Sequence, residues 1–192
     1  MNNLPLKEYR PVSRLATEQN YKPFPAFPAI DAHTHYGDIS DETAVKKAVS
    51  DMEAMRERGV RGIISLDHRF GDPIVKMLDT VRANGLDNFY HVFPCPDISG
   101  IDSADFGSDI SREISRMKAA GAKGLKFFKS LGLQIRDASG ELVLPSDKRL
   151  RPVWEAAAEN GLPVLIHIAD PVAFWDPIDE KNERYGINSL FR

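Results

Sequence analysis

Apolar and polar residues alternate with two different periods along this chain. Over residues 40–59 the apolar positions recur at the 3.6-residue spacing of an amphipathic helix, for which Ser40 is the expected N-cap. The run V-R-G-I-I-S-L at 60–66 then predicts a short buried strand. The same alternation of helix and strand continues to residue 169.

The complete pattern predicts five strands separated by four helices. Asp72 and Pro73 open a second helix that closes at Asn84 and Gly85. The other helices are expected near 110–121 and 152–160, and the other strands near 30–35, 89–94, 122–129 and 162–169. Successive strands begin roughly 26 to 39 residues apart, the interval of βα units with right-handed crossovers.

Residues 1–29 are predicted to form an irregular N-terminal extension, because four prolines there fix the backbone and remove hydrogen-bond donors. Phe24 and Phe27 are expected to pin this extension to the domain. Residues 30–192 are predicted to be a single domain, since 192 residues with 42% hydrophobic composition can build one substantial core.

Composition limits the classes of binding partner and the cellular compartment that we expect for this chain. With 25 basic and 28 acidic residues the formal charge is −3, and no basic run suggests a nucleic-acid or membrane partner. The single cysteine, Cys95, cannot form an internal disulfide, and the N-terminus lacks the apolar core of a signal peptide. We therefore expect a cytoplasmic protein without membrane spans.

Polar side chains gather where the predicted strands end, which bears on the architecture. An open doubly wound sheet and a (β/α)8 TIM-type barrel both fit the alternation, but no glycine-rich phosphate loop follows the first strand. Barrels place their active sites at the carboxyl ends of the strands. The residues at those ends are His33, His35, Asp67, His68, Lys126, Lys129 and His167.

The prediction is therefore an α/β fold that forms part of a barrel. A complete barrel takes about 250 residues. This sequence is expected to stop after the fifth strand, leaving a partial barrel.

The His33-Thr34-His35 sequence suggests metal chemistry. In a strand, residues two apart face the same side, so the two imidazoles lie together, and His167 arrives at the same level on the fifth strand. Neutral imidazole suits Zn and related first-row divalent ions such as Mn or Fe. Such a site needs an open position for a water whose pKa the metal lowers to about 7. The alternative is a set of hydrogen-bonded histidines without metal.

Three motifs carry a family resemblance. I-D-A-H-T-H, G-A-K-G-L-K-F-F-K and L-P-V-L-I-H-I-A-D-P resemble the amidohydrolase superfamily, specifically its amidohydrolase-related group, over about residues 27–184. The resemblance implies a distorted barrel in which His33, His35 and His167 bind a divalent metal and Lys126 is a candidate bridging carbamate. It also implies that the catalytic Asp, the general base, lies beyond residue 192.

The implied activity is metal-dependent hydrolysis of a small-molecule amide, lactone or related bond. A non-oxidative decarboxylase and a metal-dependent deoxyribonuclease are variants of the same fold, and the absence of a basic track disfavours the nuclease. A different hypothesis is a truncated barrel fragment that binds metal without turnover. The unpaired edges of its first and fifth strands would favour homo-oligomers.

Several polar and aromatic residues keep two interpretations. Lys126 can also be an ion-paired lysine, and Asp67 and His68 can support the ligands or lie in an exposed loop. His91 is expected to be structural. Three residues after the fifth strand also have open roles, namely in a turn, in loop packing or in a substrate pocket. They are Asp170, Phe174 and Trp175.

Overall fold

The computed structural model describes residues 4–12 and 24–185, which belong to two compact units. The larger unit contains residues 24–168 and all of the β-strands. The smaller unit joins 4–12 to 169–185 through hydrogen bonds such as that from Arg10 N to Glu180 O, 2.8 Å long. No helix within the described ranges is both long and apolar enough to span a membrane.

The larger unit has a mixed α/β architecture, as the sequence pattern predicts. Its strands are β1 (Ala29–Thr34), β2 (Val60–Ser65), β3 (Tyr90–Val92), β4 (Leu125–Phe127) and β5 (Val164–Ile166). Its helices are α1 (Glu42–Glu57), α2 (Asp72–Ala83), α3 (Phe106–Ala120), the one-turn α4 (Ser130–Leu133) and α5 (Arg151–Glu159). The 3-10 helix Lys148–Leu150 also belongs to the larger unit, whereas the 3-10 helices Leu6–Glu8 and Val172–Phe174 belong to the smaller one.

The described strands form two open parallel sheets. One sheet has the order β1-β2-β3 and the other pairs β4 with β5. Hydrogen bonds from Lys123 N to Val92 O and from Lys126 N to Pro94 O, each 3.0 Å long, connect β3 to the segment that contains β4. Neighbouring strands therefore follow chain order, and the described strands do not close into a barrel.

The hydrophobic core lies between the strands and the helices. Ile63 and Tyr90 pack in a cluster with residues of α1 and α2, whereas Leu125 and Phe127 pack in a second cluster with residues of α3 and α5. Side chains alternate between the two faces of a strand. Lys126, between two core residues of β4, therefore projects from the face opposite the helices.

The local predictions differ from the structure at several places. Asp41, not Ser40, caps α1, because its backbone is extended and its carboxylate accepts a 2.8 Å hydrogen bond from Ala44 N. Ser40 instead donates to Asp38. Phe24 and Phe27 do not pin the extension, since they are 60% and 81% exposed.

The strand lengths also differ. The predicted strands at 122–129 and 162–169 shrink to the three-residue strands β4 and β5. Apolar runs indicate burial, but the length of a strand depends on where its neighbour pairs with it. Here that pairing extends only from Leu125 opposite Val164 to Phe127 opposite Ile166.

Candidate functional site

The histidine pair at the end of β1 is held by contacts with β2. The Thr34 hydroxyl donates a 2.8 Å hydrogen bond to Ile64 O, between His33 and His35 in the chain. The two imidazole rings have centroids 5.4 Å apart and are tilted by 47°. The two imidazoles therefore lie close together, as predicted. Both residues are exposed.

Asp67 contacts one member of this pair. Nδ1 of His35 lies 2.5 Å from Oδ1 of Asp67, with side chains that are 54% and 47% exposed. With the proton on Nδ1, the imidazole donates to the carboxylate and leaves Nε2 available as a ligand atom. Carboxylates in this position commonly orient metal-binding histidines.

Lys126 is buried without a hydrogen-bond partner. Its side chain is 1% exposed, and Nζ makes no hydrogen bond to any residue that the structure describes. Nζ lies 5.7 Å from the centroid of the Phe128 ring. Burial lowers the pKa of Lys126, while electrostatic interactions with Asp67 and Cys95 act in the opposite direction. A buried amine in this state is available for a ligand or for covalent modification.

His167 joins the same set from the end of β5. Its backbone N–H donates a 3.0 Å hydrogen bond to Phe127 O, which fixes it beside β4. Desolvation lowers the pKa of His33, electrostatic interactions with Lys126, His35 and His167 lower it further, and Asp31 acts in the opposite direction. The effects of Lys126 and His167 on His33 are consistent with the neighbourhood of β1, β4 and β5 residues that the strand-end pattern predicts. We call His33, His35, Lys126 and His167 the histidine–lysine set.

The donor chemistry of this set fits a divalent metal better than its present distances do. Three imidazoles and an unpartnered amine suit first-row ions, and the low pKa of His33 favours the neutral form that binds metal. Within residues 4–12 and 24–185, no three His, Cys, Asp or Glu side chains are arranged to hold a metal ion. Binding would thus require side-chain rotation toward a common point.

A second network supports the segment that carries His35, and the sequence pattern did not single it out. The buried Ser65 hydroxyl donates a 2.8 Å hydrogen bond to Tyr36 O, and His68 Nε2 lies 3.1 Å from the same hydroxyl. The Tyr36 hydroxyl donates to Asp51 at 2.7 Å. The polar Ser65 within an apolar strand was the available signal for this support.

The remaining candidate residues are His91 on β3 and three residues of the smaller unit. His91 is half-buried on β3, its Nδ1 lacks a partner among the described residues, and burial lowers its pKa. Asp170, Phe174 and Trp175 belong to the smaller unit, where Trp175 is 71% exposed.

Comparison with known proteins adds no family assignment. No protein-family model matches this chain, and no curated protein matches its sequence. The resemblance described above therefore rests on the three strand-end motifs alone.

Proposed function

We propose that the chain is a metal-dependent hydrolase of the amidohydrolase type, in which His33, His35 and His167 hold a divalent ion and Lys126 is a candidate carbamate ligand. The observation that supports the proposal is that the His33 and His35 rings lie 5.4 Å apart, while His167 is hydrogen-bonded beside β4, which carries the buried, unpartnered amine of Lys126. Zn is the first candidate, with Mn or Fe as alternatives.

We further propose that the five strands are consecutive strands of a (β/α)8 barrel. The support is their order, since neighbours in space follow chain order and all of the described pairs are parallel. A doubly wound sheet would reverse its strand order. In a barrel, the carboxyl ends of strands carry the chemistry, which matches the position of the histidine–lysine set.

The chain's own residues have distinct roles in this proposal. Asp67 holds the His35 ring through Nδ1, so that Nε2 is presented in one orientation. Desolvation and the nearby Lys126 lower the pKa of His33, which favours the neutral imidazole that binds metal. A divalent ion held here acts as a Lewis acid and makes water nucleophilic near neutral pH. The substrate is a small molecule with an amide, lactone or related bond.

Metal retention tests this proposal directly. The purified chain is loaded with Zn²⁺, desalted and analysed by inductively coupled plasma mass spectrometry. We expect about one equivalent to be retained by the wild type, and His33→Ala and His167→Ala to lose most of it. His91→Ala is the matched control and should retain the metal. Equal metal content in all four proteins would refute the ligand assignment.

Turnover is the second measurement. Amide and lactone panels are assayed with Zn²⁺, Mn²⁺ and Fe²⁺, and then after removal of metal with a chelator. The proposal expects any hydrolysis to require metal and to be lost in His33→Ala. Hydrolysis that persists without metal would show that the chemistry belongs to other residues.

A further inference from the structure

A separate cavity lies beside the ends of β3 and β4. It has a volume of about 310 Å³, and its floor is formed by the buried side chains of Cys95, Phe127 and Leu131. Two exposed charged residues of opposite sign, Arg69 and Asp97, also line it. The cavity thus combines an apolar floor with one cationic and one anionic group, the composition of a small-molecule site.

Arg69 is positioned by the backbone. Cys95 N donates a 2.7 Å hydrogen bond to His68 O, and Phe70 N donates a 3.2 Å bond to Cys95 O. These bonds extend the parallel pairing of β2 and β3 past Arg69, which bridges to Cys95. The Arg69 side chain itself makes no hydrogen bond or ion pair to any of the described residues, so its guanidinium donors are available to a carboxylate.

Asp97 supplies the negative group. Its Oδ1 accepts a 2.9 Å hydrogen bond from Ser99 N, which fixes the carboxylate in a turn and leaves Oδ2 available. Glu113 adds to the negative potential nearby, and burial together with Asp97 raises its pKa. Asp97 forms no ion pair with Arg69 or with any other residue in the described ranges. Two opposite charges that line one cavity without neutralising each other favour a ligand that carries both charges.

We propose that this cavity binds a free amino acid with an apolar side chain. The carboxylate of the ligand binds Arg69, its ammonium group binds Asp97, and its side chain packs on Phe127 and Leu131. The volume is at the lower end of the range of about 300–1,000 Å³ for ligand sites, which suits a molecule of this size rather than a peptide or a nucleotide. The proposal is independent of metal binding at the histidine–lysine set.

Calorimetric titration of the purified chain with L-leucine, L-methionine and L-phenylalanine, in the presence of a chelator, tests the site. We expect saturable binding of at least one amino acid and at least tenfold weaker binding to Arg69→Gln and to Asp97→Asn. Both residues are exposed, so these variants should fold. Arg112→Gln and Glu42→Gln change exposed charges that do not line the cavity and should bind as the wild type does.

Charge-blocked ligands separate the two contacts. N-acetyl-L-leucine lacks the ammonium and should bind the wild type about as weakly as L-leucine binds Asp97→Asn. L-leucinamide lacks the carboxylate and should match L-leucine on Arg69→Gln. The proposal is overturned if no amino acid binds saturably, if both variants bind normally, or if N-acetyl-L-leucine binds as tightly as L-leucine. Since the titration is metal-free, none of these results bears on metal retention.

Discussion

Two cations in the larger unit have opposite surroundings. Arg149 donates to three carboxylates, with distances of 2.6 Å to Asp102, 3.0 Å to Asp137 and 2.6 Å to Asp147. Its side chain is 37% exposed. Lys126 is 1% exposed and has no hydrogen-bond partner among the described residues. The more deeply buried cation is thus the one without compensation.

The contrast separates a structural cation from a candidate functional one. Arg149 lies in the 3-10 helix Lys148–Leu150, directly before α5, and joins the loops that contain Asp102 and Asp137, so its ion pairs stabilise the fold. A buried charge without a partner costs folding free energy. Such a cost is typical of sites where a side chain must remain available to a ligand. The variants below test whether Lys126 and Arg149 differ in this way.

Replacement of Arg149 should have the largest effect. Arg149→Met leaves three carboxylates facing one another without their shared donor, and we expect the melting temperature to fall by roughly 5–10 °C. Differential scanning calorimetry measures this change. Arg151→Met, at an exposed position two residues away, is the matched control and should change it little. Equal effects of the two substitutions would show that the ion pairs contribute nothing.

Replacement of Lys126 should act in the opposite direction. Lys126→Met keeps the side-chain volume and removes the buried charge, so we expect the free energy of unfolding to rise by about 1–3 kcal/mol in metal-free protein. Urea denaturation measures it, with exposed Lys118→Met as the control. A loss of stability comparable to that of Arg149→Met would mean that the Lys126 amine is compensated in solution.

The acid sensitivity of the Arg149 network should be smaller but distinctive. The Ser139 hydroxyl, the Glu141 backbone and Arg149 donate to Asp137 and lower its pKa to about 2 from the usual 3.8. A lowered pKa in the folded state stabilises the protein above pH 4, and this contribution is lost as the pH falls from about 4 to about 2.

Thermal unfolding across this pH range measures the effect. Asp137→Asn should show a shallower decline in melting temperature than the wild type between pH 4 and pH 2. Arg149→Met should be intermediate, because Ser139 and Glu141 still donate to Asp137 in that variant. Identical pH profiles in all three proteins would contradict the assignment.

Asp102→Asn should have the smallest effect. Asp102 is 38% exposed, and one ion pair at such a position contributes about 0.5–1 kcal/mol. The asparagine oxygen can still accept the hydrogen bond that Ala138 N donates to Asp102 Oδ2. Urea denaturation should therefore give a loss smaller than that of Arg149→Met, and a larger loss would identify Asp102 as the principal partner of Arg149.

The sequence predicted the larger unit better than it predicted the contacts of the site. The helix that Asp72 and Pro73 open and the end of α3 near residue 121 agree with the structure, because local periodicity and capping residues determine them. The predicted strands at 122–129 and 162–169 were longer than β4 and β5, since strand length depends on pairing with a distant segment.

For the candidate site, too, the sequence predicted local spacing better than it predicted contacts between distant segments. The spacing of two residues in a strand predicted that His33 and His35 lie together, which the structure confirms. The position of His167 at their level stays a prediction. The metal itself, the carbamate at Lys126 and the hydrolase activity remain predictions. Of the two interpretations left open for Asp67, the structure favours support of a ligand, since Asp67 contacts His35. The pattern gave no warning that Arg69 and Asp97 would line one cavity.

The sequence by itself determined the alternation of strands and helices, the apolar face of each helix and the strand positions of the candidate ligands, because these follow from local spacing. Only the tertiary structure decided that Lys126 is buried without a partner while Arg149 contacts three carboxylates. The physical reason is that burial and ion pairing depend on segments far apart in the chain, which come together only when the strands pair and the loops pack.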